Sequence, residues 1–370
     1  MRRKLSRVVV ALSLAAAFAA SARAHPATGI VFDGERRVLY FSDLETVWKV
    51  DAAGRLSTFR AGDGGRHTHE LGIDRDGNLY GGDISYRGGR WFSAFWRMSP
   101  AGEFTYLLPL TEVAPGWGVQ RDAAGNVYSV EQDNNRRRET RLLRRTPEGR
   151  VELVAGGAYG QADGRGAAAR FESVAGLSVL PDGTVYLTDG QSLRRVTPDG
   201  TVTTAARDLG ASDPATRLDA DAAFGGIYGL AADGRGGAFV ADHRNRRVLR
   251  VTEAGRATTV LRAESPWAPT GIAVGDDGAV YVLEVGLVQA AGDNASRVRR
   301  LAPDGSVQTL ATVGAQGRTG GGQPATPAQA ITSHEQPAPA GRGARFYLPL
   351  VLVGLCLVPL AIHFARRRRS

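Results

Sequence analysis

The sequence predicts an all-β protein, a six-bladed β-propeller, and two observations carry that prediction. A turn, a short strand with an aromatic residue and a closing acid recur six times, most clearly in residues 181–189. There Asp182 and Gly183 form the turn, because glycine tolerates positive φ and aspartate can bond its own backbone. The aromatic residues of successive copies lie 40 to 58 residues apart. Propeller blades repeat about every 40–50 residues.

Each repeat predicts four strands. The strand that ends in the acid follows an inner strand and precedes two more, which in the fourth repeat are residues 193–196 and 201–204. Six such units over residues 29–312 predict six four-stranded blades, almost free of helix. The blades are expected to form one closed ring, because closure removes exposed sheet edges. The six acids, which we name the acid column, are Asp43, Asp83, Glu131, Asp189, Asp242 and Glu284.

Two segments resemble known repeats. Residues 241–251, Ala-Asp-His-Arg-Asn-Arg-Arg-Val-Leu-Arg-Val, resemble the core of an NHL repeat, and residues 157–171 resemble the linker that often precedes such a blade. The resemblance covers residues 29–312 and is weaker in the first three repeats. The first repeat has no Asn-Arg step, and in the third Glu131 stands in place of the usual aspartate. It implies a six-bladed propeller of a family whose members are mostly binding platforms, with enzymes among a minority of relatives.

The charge is concentrated at the two ends of the chain. The net charge of +9 at first suggests a polyanionic partner. The chain has 46 basic and 37 acidic residues. The two terminal segments, 1–24 and 313–370, together contain 12 of the basic residues and one of the acidic residues. Residues 25–312 therefore hold 34 basic and 36 acidic residues, and this near neutrality argues against nucleic-acid binding. The only cysteine, Cys356, excludes a disulfide within the chain.

Residues 1–24 are typical of a secretory signal peptide. Arg2, Arg3 and Lys4 open the segment, residues 8–20 are apolar, and small residues precede a cut ahead of His25. The alternative is an uncleaved anchor, which the shortness of the apolar run disfavours.

The C-terminal part predicts a membrane anchor. Residues 313–345 form a Gly/Pro-rich linker, and residues 346–365 a transmembrane helix whose uncharged apolar part, 346–364, would extend about 28 Å. The basic tail 366–370 predicts a cytoplasmic C-terminus. The protein is therefore expected to be a single-pass protein of the cell membrane, with its propeller on the extracytoplasmic side, periplasmic or extracellular. A buried core helix is the alternative, and the tail also resembles bacterial sorting tails without their short motifs.

Propeller topology brings two sets of residues to one face of the ring, namely the acid column and the residues that precede the inner strands. Repetition favours a scaffold role for the acids, as short side chains that bond backbone amides at strand ends. Six acids around a channel would alternatively concentrate a cation. The inner positions are Gly29, Glu70, Gly118, Gly176, Gly229 and Gly271, so only the second repeat lacks glycine there.

The second repeat therefore contains the candidate metal site. His67 and His69 project to one side of an extended segment and Glu70 to the other. Imidazole and carboxylate groups are ligands for zinc or another divalent metal ion. These three residues are the candidate ligand set, and a polar loop at the rim is the alternative interpretation.

Four more residues complete the predicted ligand-binding site. Trp117 and Tyr228 occupy the position of His69 in the third and fifth repeats, and they predict an aromatic wall suited to an organic ligand. Asp83 and Glu131 close the strands beside them. The longest interruptions between second and third strands, residues 84–94 and 132–141, are predicted to open on this same face.

The favoured function is a membrane-tethered extracytoplasmic binding or interaction module for an unknown protein, small molecule or saccharide. The sequence has no nucleophile elbow, P-loop or dinucleotide fingerprint, so the catalytic residues of an enzyme on this fold stay unassigned. The alternative is a metal-dependent hydrolase or lyase, as in gluconolactonase-like or amidating-lyase-like propellers, which act at the mouth of the central channel. Those families use side chains from several blades, whereas the histidines of this face are predicted to come from one blade.

Overall fold

The computed structural model describes residues 27–314 except 63–64, 89, 113–115, 134–138, 212–225 and 288–293. The predicted signal peptide, transmembrane helix and basic tail lie outside the described residues, as does nearly all of the predicted linker. Within the described part of the chain, no helix is long and apolar enough to cross a membrane.

The described residues form six antiparallel sheets, which are the six predicted blades. The strands of blades 1 to 3 are β1 (Ile30–Asp33), β2 (Val38–Ser42), β3 (Val47–Val50), β4 (Leu56–Arg60), β5 (His67–Ile73), β6 (Leu79–Arg87), β7 (Arg90–Met98), β8 (Phe104–Glu112), β9 (Gln120–Arg121), β10 (Val127–Asp133), β11 (Glu139–Arg145) and β12 (Val151–Ala158). The strands of blades 4 to 6 are β13 (Gly164–Arg165), β14 (Val174–Val179), β15 (Val185–Asp189), β16 (Ser192–Val196), β17 (Thr201–Ala206), β18 (Ile227–Ala232), β19 (Ala238–Asp242), β20 (Arg247–Val251), β21 (Ala257–Arg262), β22 (Trp267–Val274), β23 (Val280–Leu287), β24 (Asn294–Leu301) and β25 (Val307–Val313).

The ring closes between blade 6 and blade 1. A Cβ added to Gly271 of β22 would lie 2.4 Å from the carbonyl oxygen of Thr28, which precedes β1. A continuous apolar core joins the two blades, and the Phe32 ring of β1 stacks on Tyr281 of β23 with centroids 4.4 Å apart. The predicted closed ring of six blades is therefore confirmed.

Blade 4 departs from the predicted four strands. The segment that resembles an NHL linker contributes β13, which pairs with the outer strand β17, so this blade has five strands. The prediction that the propeller is almost free of helix is confirmed, because the described residues contain one 3-10 turn, Gly166–Ala168.

Three blades carry long hairpins between their second and third strands. Residues 84–94 and 132–141, predicted as interruptions, continue the strands instead: β6 and β7 pair as far as Arg87 and Arg90, and β10 and β11 as far as Asp133 and Glu139. Blade 6 has a similar extension, which the sequence reading missed, to Leu287 and Asn294. All three project from the end of the ring where the acid column lies.

Candidate functional site on the acid face

The end of the ring that carries the acid column is named here the acid face. Each acid of this column meets an N–H donor from the third strand of its own blade. The pairs are Asp43 with Trp48, Asp83 with Trp96, Glu131 with Arg141, Asp189 with Arg194, Asp242 with Arg247, and Glu284 with Arg297. Four of these carboxylates, in blades 2, 4, 5 and 6, are fully buried. The column is therefore part of the scaffold, the role that its repetition favours.

Asp83 shows how completely a buried member is used. Its Oδ1 accepts hydrogen bonds from Thr68 Oγ1 at 2.7 Å and from Trp96 Nε1 at 2.8 Å, and Arg60 donates to both carboxylate oxygens. The predicted ligand-binding role of Asp83 would require these contacts to break, so the contacts support a structural role. Glu131 is different, because its carboxylate is about one-third exposed and lies 3.7 Å from Arg141 Nη1.

The motif that resembles an NHL core has a physical explanation in blade 5. Asp242 Oδ2 accepts from Asn245 Nδ2 at 2.8 Å and from Arg247 Nε at 2.7 Å. Both side chains also donate to the carbonyl oxygen of Ala211, Asn245 from Nδ2 at 3.0 Å and Arg247 from Nη2 at 3.5 Å. The spacing Asp-x-x-Asn-x-Arg therefore ties the turn between β19 and β20 to the segment that follows blade 4.

The inner-strand glycines make room for the neighbouring blade. A Cβ at Gly176 would lie 2.4 Å from the carbonyl oxygen of Tyr228, and one at Gly229 would lie 2.6 Å from that of Thr270. In blade 2 this close approach is shifted by two residues, because Gly72 takes it against Val119 at 2.1 Å. The side chain of Glu70 therefore does not force blades 2 and 3 apart, as a side chain at the close approach would.

Glu70 lies in the central channel. A cavity of about 70 Å³ there is lined by inner-strand residues of all six blades, and Glu70 is the charged residue among them. Its position inside the ring raises the pKa of the Glu70 carboxyl by desolvation, and the exposure of the side chain to solvent limits this effect. A water molecule occupies about 30 Å³, so this cavity has room for about two water molecules and is small for an organic ligand.

The rings of His67 and His69, which precede Glu70 in β5, have centroids 6.1 Å apart. His69 occupies a β-bulge between Thr68 and Glu70, and its carbonyl oxygen accepts a hydrogen bond from Thr28 Oγ1 at 3.0 Å. In the described residues no three His, Cys, Asp or Glu side chains are grouped closely enough to hold a metal ion. Metal binding by His67, His69 and Glu70 therefore stays a prediction.

Trp117 contacts protein groups from two blades. Its ring stacks on Phe95 of β7, with centroids 6.1 Å apart, and Arg145 of β11 places its guanidinium carbon 4.4 Å from the Trp117 ring centroid. These contacts place the indole between blades 2 and 3. Binding of an organic ligand by Trp117 stays a prediction.

Tyr228 faces a histidine that the sequence reading missed. His243, in the turn after β19, packs edge-on against Tyr228 with ring centroids 5.1 Å apart, and its Nδ1 lies 3.2 Å from the carbonyl oxygen of Pro269. Because a carbonyl only accepts, Nδ1 carries the proton and Nε2 keeps its lone pair. The expectation that the histidines of this face come from one blade is therefore wrong. The signal was present in the sequence, because His243 directly follows the acid Asp242.

Burial lowers the pKa of His243 to about 4 from an ordinary value of 6.5. Between these two pH values the unfolded chain binds a proton that the folded chain does not, so stability falls as the pH falls. The free energy of unfolding is expected to drop by about 3 kcal/mol from pH 6.5 to pH 4 because of this group. Carboxylates titrate in the same range, so the measurement is the difference between wild-type and His243→Gln in urea unfolding at several pH values. Equal pH slopes for the two proteins would contradict the prediction.

Comparison with known proteins gives similarity of architecture. No protein-family model matches the sequence, and no curated protein matches it. Among solved structures, virginiamycin B lyase from Staphylococcus aureus is 13% identical with a TM-score of 0.44, over 76% of this chain and 83% of that one. Regucalcin, a calcium-binding protein from Agrobacterium tumefaciens, is 16% identical with a TM-score of 0.45, over 72% and 84%. A gluconolactonase from Xanthomonas campestris is 15% identical with a TM-score of 0.45, over 70% and 83%. At these identities the likeness concerns the fold and transfers no residue role to this chain.

Proposed function

We propose that this chain is a binding module, a propeller held outside the cytoplasm by its C-terminal segment, which recognises a small molecule or saccharide on the acid face. One observation carries the proposal. Five of the six acids of the column accept hydrogen bonds from side chains of their own blades, whereas Glu131 lies 3.7 Å from Arg141 with its carboxylate about one-third exposed. The polar groups that remain at the mouth are few and differ in type, which is typical of recognition rather than of a repeated structural device.

The ligand is expected to lie over the channel mouth rather than inside the channel. A cavity of about 70 Å³ is small beside the roughly 300–1,000 Å³ of sites for organic ligands. His67 and His69 in blade 2 and Tyr228 in blade 5 supply imidazole and phenol groups on opposite sides of the mouth, and the long hairpins of blades 2, 3 and 6 rise around it. Loops and hairpin tips on a rigid scaffold are where recognition residues gather.

A metal-dependent hydrolase or lyase is the second candidate, and one observation favours it. The pKa of Glu70 is raised by desolvation, which is the condition under which a carboxyl acts as a general acid near neutral pH. The lyase and gluconolactonase activities named for the matched structures would fit this reaction class. Against it, the described residues offer no group of three His, Cys, Asp or Glu side chains for a metal ion.

The experiment titrates purified residues 25–314 with a panel of uronic-acid oligosaccharides, amino-sugar oligosaccharides and sugar lactones, each with and without Ca²⁺, Mg²⁺ or Zn²⁺. The double variant His69→Ala/Glu70→Ala is expected to weaken binding of the compound that binds by at least about tenfold, a loss of about 1.4 kcal/mol, with little change in Tm.

The matched control is Arg75→Ala/Asp76→Ala, which removes two exposed side chains from a turn at the opposite end of the same blade. Wild-type binding by the His69→Ala/Glu70→Ala variant would move the site elsewhere. If the wild-type protein opens a lactone in the presence of metal and the His69→Ala/Glu70→Ala variant does not, the enzyme would be favoured over the binding module.

A further inference from the structure

The β6–β7 hairpin of blade 2 projects beyond the acid face. Its strands stay paired from Leu79 and Met98 to Arg87 and Arg90, whereas the second strands of blades 4 and 5 end at their acids. Tyr86 lies three residues past Asp83, and a strand rises about 3.3 Å per residue. The hairpin tip therefore stands about 10 Å above the level of the acid column.

This tip, which we define as Tyr86, Arg87, Arg90 and Trp91, combines exposed aromatic rings with cations. Tyr86 is 58% exposed and Trp91 50% exposed, and their ring centroids lie 4.8 Å apart. They are the two most exposed large apolar side chains among the described residues. Amphipathic aromatic rings are favoured at the boundary between water and lipid.

The two arginines give the tip a positive charge. Arg87 is exposed, and Arg90 is 67% exposed although it pairs with Glu112 at 2.9 Å. Two cations and one such partner leave a net positive charge beside the rings. This charge complements the anionic headgroups of a bilayer surface.

The chain leaves the propeller on the same face. In blade 6, Val313 at the end of β25 pairs with Ser296, the neighbour of the Arg297 that contacts the acid Glu284. The described part of the chain therefore ends on the acid face. The proposed tether starts from the same face that carries the hairpin tip.

From these observations we propose that the hairpin tip docks on the lipid surface to which the chain is tethered. The inference rests on the proposed tether. Two rings and two arginines form a weak contact, but a tethered contact is intramolecular, which raises its effective concentration. Blade 5 lies across the ring from blade 2, so contact through one hairpin leaves the mouth beside Tyr228 open.

The test uses the full chain in nanodiscs of phosphatidylcholine with about 30% phosphatidylglycerol, with and without brominated acyl chains that quench tryptophan emission. The chain has five tryptophans, so the wild-type signal minus that of Trp91→Phe reports Trp91 alone. We expect brominated lipid to quench this difference signal. Tyr86→Ser and Arg87→Ala/Arg90→Ala should each reduce the quenching at least twofold, and the arginine variant should lose its effect in discs of phosphatidylcholine alone.

The control is Val151→Ser/Leu153→Ser, which removes apolar side chains that are 42% and 47% exposed from β12, at the turn end of blade 3. It should leave the Trp91 quenching unchanged. Flotation of the full chain with vesicles of the same composition, beside a chain that ends at residue 345, tests the tether separately. If the full chain floats but brominated lipid does not quench Trp91, the tether stands and the docking of the hairpin tip is wrong. The tip would then be available to a soluble ligand or protein. A full chain that does not float would overturn the tether of the proposed function.

Discussion

Replacing Arg194 by alanine is expected to lower the free energy of unfolding by about 3–5 kcal/mol, the usual cost of removing one partner of a buried ion pair. The Arg194 side chain is 1% exposed. It donates to Asp189 Oδ2 and to Asp163 Oδ1, each at 2.8 Å, and to the carbonyl oxygen of Ala162 at 2.9 Å. Without it, the fully buried Asp189 keeps only its two backbone N–H donors, Glu172 and Ser173.

Urea or thermal unfolding of Arg194→Ala measures this loss. The control is Arg55→Ala, because Arg55 makes a similar contact to Asp51 on the surface with its side chain 82% exposed, and exposed pairs contribute little. A change in Arg194→Ala as small as in the control would show that the carboxylate of Asp189 is satisfied in another way.

Replacing Asp83 by alanine is expected to cost a similar amount, about 3–5 kcal/mol, for the reverse reason. The substitution leaves the Arg60 guanidinium, 13% exposed, without its carboxylate and the fully buried Trp96 without an acceptor for Nε1. Arg60 also lies 4.8 Å from the Trp96 ring centroid, so both side chains lose a defined position. Unfolding monitored by tryptophan fluorescence and by circular dichroism measures the loss.

Asp83→Ala also distinguishes the two roles considered for this residue. A ligand-binding residue on a rigid rim changes affinity and leaves stability nearly unchanged, whereas a structural residue does the opposite. Asp304→Ala, in an exposed turn where Asp304 accepts from Ser306, is the control for loss of a carboxylate. Wild-type stability of Asp83→Ala would return Asp83 to the predicted ligand site.

Most of the fold could be predicted from local sequence patterns. The six turns, the aromatic strands and the closing acids are short-range features, and each is readable within about ten residues because strands and turns have local residue preferences. The blade number, the closed ring and the scaffold role of the acid column followed from their repetition. The donors of the third strands were less readable, because the partner of the acid is a tryptophan in blades 1 and 2 and an arginine in the others.

The site depended on contacts between segments far apart in the chain. The sequence showed by itself that Glu70 breaks the glycine pattern, but only packing of Gly72 against Val119 allows a side chain at that position. Likewise, His243 follows an acid in the sequence, yet only the folded ring buries it, which lowers its pKa, and places it against Tyr228 and the carbonyl oxygen of Pro269 in the next blade. Residue type and spacing determined the repeating scaffold, because that scaffold is built from local conformations. Which side chains are left facing the mouth was decided by register, bulges and contacts between blades, which are properties of the closed ring.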